Sequence, residues 1–269
     1  MLASRAMRRL LALVLAVLAG GCAAGPGFVP PGILYVPTPE AVGVEMLRFA
    51  GVTPADVVYD LGSGDGRLVV AAAQEFGARG VGVEIEAWLV QDGRERAIRA
   101  GVADRATFVW GDLFAADLAP ATVVTLYLGE TLNRRLVPKL LGELRPGARV
   151  VSHDFGMGDW RPDRTVLARG PDRDHLLQLW VIPADVAGAW RVRLDGAREA
   201  TLVLRQQFQT LEGTLSLDGV AHPVAGVVEG ETLRFTAASL TFAGRVGDRR
   251  LEGEAADRAG TRGWTAERS

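Results

Sequence analysis

From residue 56 to residue 155 the apolar positions of the chain switch between two rhythms. Short runs that are apolar throughout alternate with longer stretches in which apolar residues recur every three or four positions. The short runs are 56–61 (DVVYDL), 80–85 (GVGVEI), 106–110, 122–128 and 148–155; the longer ones are 67–76, a stretch ending near residue 100, and 132–144. Continuous apolar runs between amphipathic helices predict parallel strands with both faces covered. Upstream, Thr38 stands as a side-chain cap, with Pro39 at the first helical position and a helix running on through AVGVEMLRFA. After residue 155 the rhythm changes. Segments 164–168 and 176–182, joined by the polar RGPDRD, read as a strand pair.

From about residue 190 no helical period survives. ATLVLRQQF, GTLSL, ETLRFTA and LTFAGRV are separated by Asp218-Gly219, Glu229-Gly230 and Gly247-Asp248, which are hairpin signals. They predict a small antiparallel β-domain over 188–269, a meander or a partial barrel.

The first residues follow another logic. Arg5, Arg8 and Arg9 precede the apolar run LLALVLAVL, and small residues lead to Cys22. This is a secretory signal over 1–24, too short to span a bilayer as a helix. A cysteine after Ala19-Gly20-Gly21 is read as the lipidated residue of a lipoprotein, a membrane anchor at Cys22, with ordinary cleavage after Ala24 as the rival. Residues 25–37, rich in Gly and Pro, form a tether, and 38–187 the α/β domain. Such a chain is expected to be exported to the cell envelope.

Composition narrows the function. The formal net charge is -2 and lysine is nearly absent; arginines are interleaved with acids, so no basic stripe exists for a phosphate backbone, and nucleic acid is not the expected partner. With one cysteine and 3 histidines far apart in sequence, no metal site is expected.

The chemistry concentrates in VVYDLGSGDGR, residues 57–67. A strand ends near Asp60, and Gly62, Ser63, Gly64 and Gly66 carry the chain to a helix start, where unpaired N–H groups face any ligand. The spacing G-x-G-x-G behind an acid differs from the G-x-G-x-x-G of dinucleotide sites. It suits a ligand with an ammonium group rather than a pyrophosphate. Two further acids, Glu84 and Asp112, stand at the ends of the second and third strands.

The loop resembles motif I of class I S-adenosylmethionine-dependent methyltransferases, with Glu84 and Asp112 in the places of the family's ribose and adenine ligands. The resemblance implies a Rossmann-like fold, a seven-stranded, mostly parallel sheet ending in an antiparallel hairpin, and S-adenosyl-L-methionine as cofactor. More narrowly, YDLGSGDGR, VGVEIEAWLV and ARVVSHDFGMGDWRPDR are similar to the lysine methyltransferases related to the ATP synthase c-subunit enzyme. That implies N-methylation of a lysine on a protein partner, one in a membrane included. Relatives carry a leucine-proline step after the fourth strand where this chain reads Tyr127-Leu128-Gly129-Glu130. A lysine must lose its proton before methylation, from a reference pKa of about 10.4. The candidates for acceptor chemistry are Tyr127, His153 and Asp154, with Glu130 beside them. Tyr127 holds the amine or packs the sheet, and His153 takes a proton or is a structural histidine. Two other functions stay open: an exported, non-enzymatic binding module, because the cofactor is made in the cytoplasm, and a small-molecule methyltransferase.

Overall fold

The computed structural model describes residues 35–195 and 198–269. The signal segment, Cys22 and most of the tether lie outside the described residues.

The α/β part runs α1 (Glu40–Phe49), β1 (Val57–Leu61), α2 (Arg67–Phe76), β2 (Arg79–Glu84), α3 (Ala87–Arg99), β3 (Ala106–Trp110), β4 (Val123–Leu126), α4 (Glu130–Glu143), β5 (Arg149–His153), β6 (Arg164–Arg169) and β7 (Asp174–Val181). The sheet has 7 strands in the order β3-β2-β1-β4-β5-β7-β6. β1 to β5 are parallel, and β7 runs antiparallel to both β5 and β6. This is the expected parallel sheet with a terminal hairpin. It explains why the central strands read as unbroken apolar runs: alternate residues face opposite helical layers. Val58, Val123 and Val151 pack with Met46 and Leu47 of α1, whereas Leu61, Val124 and Val150 pack with Leu136 and Leu140 of α4. The strand order reverses between β1 and β4, the switch point at which open α/β sheets bind ligands beyond their carboxyl ends.

Thr38 departs from expectation. α1 starts at Glu40, Pro39 holds the N-cap position, and no side chain caps the helix. The Thr38 hydroxyl instead reaches His153 Nδ1 at 3.0 Å, a long-range contact that outcompetes the local cap.

Strands β8 (Gly188–Leu194), β9 (Arg198–Gln207), β10 (Thr210–Leu217), β11 (Val220–Glu229), β12 (Thr232–Ala237), β13 (Leu240–Val246), β14 (Arg250–Asp257) and β15 (Gly260–Arg268) form a closed barrel. Neighbours pair in chain order, and β15 returns to β8. The barrel is complete rather than partial, so no edge is left open. Its inward residues fill the interior: Leu202, Leu211, Leu215 and Leu233 surround Phe235 and Phe242, stacked at 4.4 Å, with Trp264 edge-on to both. At Gly213 and Gly253 a Cβ would lie 1.9 and 2.0 Å from the carbonyl oxygens of Val203 and Ala243, so only glycine lets the strands coil this tightly. The barrel meets the sheet domain where Phe208 stacks on Trp160, Gln209 Nε2 donates to the Arg161 carbonyl and Ala184 N–H donates to the Gly230 carbonyl.

Candidate active site

The glycine loop sits at the carboxyl end of β1, under the switch point. Gly62, Gly64 and Gly66 all adopt positive φ, at 77°, 53° and 76°. A Cβ on Gly62 would strike Leu128 at 2.6 Å, one on Gly64 would strike Tyr35 at 2.5 Å, and one on Gly66 would strike Phe108 at 2.4 Å. The loop is therefore closed in by β4's exit, the N-terminal segment and β3. Its N–H groups are partly spent on β2: Gly62 and Ser63 donate to the Val83 carbonyl and Gly64 donates to Glu84 Oε2. Ser63 turns its hydroxyl beneath the loop toward Gly82, where it finds no partner among the described residues.

The three predicted acids arrive together by strand register. Asp60 lies opposite Thr125 on β4, whose hydroxyl donates to Asp60 Oδ1 at 2.6 Å. Burial pushes the Asp60 carboxyl up to about 7, with Glu84 and Asp65 adding repulsion and the Thr125 bond pulling the other way. Glu84 is buried and accepts backbone N–H bonds from Gly64, Ile85 and Glu86. Asp112 uses Oδ1 to accept the Phe114 N–H, which fixes the loop after β3. Beside them is an ionic lock that sequence reasoning missed. Asp65 holds both Arg67 and Arg96, Arg96 reaches Glu40 at 3.3 Å, and Arg67 donates to the Thr38 carbonyl. Burial works to raise the Asp65 carboxyl, but the two guanidiniums outweigh it and hold it below the usual range. The signal was present in the acid-arginine pair inside GDGR, read only for its glycines.

The acceptor candidates gather at the ends of β4 and β5. Tyr127 is half-buried, its ring stacked on His153 at 3.9 Å and on Phe155 at 5.7 Å. Burial raises its phenol, and Asp154 adds to this, so it stays protonated. His153 is fully buried with both ring nitrogens engaged, Nδ1 with Thr38 and Nε2 with His175 Nδ1 at 2.8 Å. Burial lowers its pKa to about 4. It therefore offers no free nitrogen to a substrate. Asp154, at φ 61°, accepts the Leu176 N–H and pairs with Arg173. Burial favours its neutral form, but these bonds prevail and keep it ionised. Glu130 is exposed at the start of α4. His175, read in the sequence only as far from the other histidines, is brought to His153 by the β5–β7 register that sets His153 against Leu177.

The ANTKMT methyltransferase domain model matches residues 60–164. A protein-lysine N-methyltransferase of Saccharolobus islandicus (strain REY15A) is 42% identical over 153 residues, 56% of this chain and 95% of that protein. The chain belongs to this methyltransferase family. The ATP synthase c-subunit lysine N-methyltransferase of Mus musculus is 43% identical over 108 residues, 40% of this chain and 43% of that protein, so the match spans under half of the mouse enzyme. A crystal structure of an RNA methyltransferase from Salinibacter ruber, in complex with S-adenosyl-L-homocysteine, superposes with TM-score 0.53 at 53% identity, covering 56% of this chain and 96% of that one. None of these three matches extends over the whole chain.

The methyltransferase's cofactor is S-adenosyl-L-methionine, and the residues present fit it. The loop glycines leave the space that side chains would fill. Asp60 is a buried carboxylate repelled by its acidic neighbours and partnered only by a neutral hydroxyl among the described residues. Such a site lacks a positive charge, which an ammonium or sulfonium supplies and a pyrophosphate does not.

Proposed function

We propose that the protein methylates a lysine side chain of a protein acceptor, using Tyr127 at the exit of β4 to position the amine. Contact between the two half-sites supports this reading: Leu128, next to Tyr127, packs on Gly62 of the cofactor loop. A group lying against Tyr127 would thus be beside the loop that would hold the methyl donor. Asp60 would hold the donor's ammonium group, Glu84 its ribose through the lone pairs left over from the backbone bonds, and the second oxygen of Asp112 its adenine amine. When bound, S-adenosylmethionine supplies an electrophilic methyl group on a sulfonium.

The chain's own residues then prepare the acceptor. The amine must arrive neutral, because its lone pair forms the N–C bond as the C–S bond breaks. Tyr127, Leu128 and Phe155 offer apolar surface that disfavours the ammonium form. The Tyr127 hydroxyl, which makes no hydrogen bond within the described residues, accepts one from the amine and aims its lone pair. In-line transfer needs little further machinery, since positioning alone supplies about 7–11 kcal/mol in favourable intramolecular models. Asp154 and Asp172 outnumber Arg173 around Tyr127, and with exposed Glu130 they give the entrance negative charge. That attracts a lysine and opposes a phosphate backbone, which favours protein over RNA.

The test is transfer of labelled methyl groups from S-adenosylmethionine to a protein extract and, in parallel, to an RNA extract, with the modified residue located by mass spectrometry. Methyl-lysine in the protein arm is expected, with Tyr127→Phe lowering kcat at least tenfold and leaving cofactor affinity within twofold. Label confined to RNA would overturn the acceptor assignment while leaving the methyltransferase intact.

A further inference from the structure

The cluster behind Tyr127 has a geometry that methyl transfer does not require. His153 Nε2 and His175 Nδ1 face each other at 2.8 Å, and Asp154 Oδ2 lies 3.4 Å from the first and 3.9 Å from the second. A triangle of these sides has a point about 2 Å from every corner, which is the bond length of zinc to imidazole nitrogen and carboxylate oxygen. From these atoms we infer that His153, His175 and Asp154 form a binding site for one divalent transition-metal ion of the zinc class.

The surrounding bonds are those a metal site needs. A histidine ligand is fixed when its other ring nitrogen donates to an oxygen, which sets the tautomer and aims the lone pair. Both histidines have such an oxygen: Thr38 Oγ1 at 3.0 Å from His153 Nδ1, and Asp172 Oδ1 at 3.3 Å from His175 Nε2. The second case is a carboxylate–histidine arrangement. Asp154 Oδ1 accepts the Leu176 N–H, which leaves Oδ2 directed at the cluster. All three ligand side chains are rigidly placed, the histidines 0% and 3% exposed and Asp154 16%. Two imidazoles and one carboxylate select zinc, cobalt or iron(II) over magnesium or calcium, which prefer all-oxygen shells.

The protons balance. In the metal-free form one N–H is shared between the facing nitrogens. On binding, His153 carries its proton on Nδ1, donating to Thr38, and His175 carries its own on Nε2, donating to Asp172. Both imidazoles stay neutral and no proton leaves. In the metal-free form Arg173 occupies Asp154 Oδ2 from the solvent side, half exposed, and it swings away as the ion replaces its charge. The bound ion joins the end of β5 to β7 and locks His153, on which the Tyr127 ring rests.

The test uses the full chain after dialysis against a chelator, titrated with cobalt(II), whose visible d–d bands report nitrogen and oxygen ligation, and with zinc by calorimetry. One equivalent is expected to bind, with His175→Ala abolishing the bands. Asp172→Ala, a change at an exposed residue that cannot unfold the core, should weaken affinity about 10–100-fold. Absence of cobalt bands in the wild type, or bands unchanged in both variants, would falsify the site. Because the titration contains no cofactor or acceptor, a negative result leaves the methyltransferase reading untouched.

Discussion

Asp60 shows how a single buried residue ties cofactor recognition to stability. Its carboxyl titrates near 7 in the folded chain, above the ordinary aspartate value of 3.8. The native state therefore holds a proton that the unfolded chain has released, and stability falls as pH rises between those values. Asp60→Asn removes this cost while retaining an acceptor for the Thr125 hydroxyl. Its melting temperature should exceed that of the wild type at pH 8, by an amount equivalent to about 1–3 kcal/mol, and the gap should close toward pH 4. The same variant should bind S-adenosylmethionine far more weakly at pH 8, since the counter-charge to the ammonium is gone. A variant less stable than wild type at pH 8 would mean that Asp60 is not the uncompensated charge described above. At this scale the sequence was informative about carboxylates, because strand ends and glycine spacing place them. It singled out His153 but was silent on its pairing with His175. His153 and His175 are 22 positions apart, and only the pairing of β5 with β7 makes them neighbours, a register that no local pattern specifies.

Between residue and fold, the turn from β1 to α2 is the element on which the site depends. Gly66 has φ 76° and space for no side chain, since a Cβ there would sit 2.4 Å from Phe108 and 3.0 Å from the Gly93 Cα. Gly66→Ala should cost about 1–3 kcal/mol by thermal unfolding and weaken cofactor binding in proportion to the shift of the loop. Gly101 makes the control. It has φ 69° but nothing within 4 Å, so Gly101→Ala should cost only about 1 kcal/mol, and equal losses at both sites would rule out the packing argument. The strands and helices were readable because their two periods differ so plainly; the boundaries were less so. β4 stops at Leu126 rather than 128 because Gly129, at φ 86°, turns the chain into α4. The cap assigned to Thr38 failed for a reason of range. Capping rules weigh neighbours within one turn, whereas the Thr38 hydroxyl is claimed by a histidine 115 residues away.

For the whole molecule, two cores share one chain. Trp264 is buried among Phe235, Phe242 and the β13 backbone, all within the barrel. Trp264→Ala should destabilise the barrel by about 3–5 kcal/mol. Calorimetry should then resolve a lower transition for the barrel and an upper one that still shifts with S-adenosylmethionine; a single, uniformly lowered transition would instead show that the two cores unfold as one. Hairpin signals disclosed the β-tail, but not its closure, because strand count and alternation are the same for an open meander. Closure depends on one long-range strand pairing, β15 with β8, which runs from Trp264 opposite Leu194 to Arg268 opposite Trp190. That pairing also orders events in time. The sheet domain has every strand in hand once Val181 has emerged from the ribosome, whereas the barrel cannot close until β15 has emerged. Synthesis thus yields a complete sheet domain followed by an unsealed ribbon of strands, which closes only when β15 reaches β8.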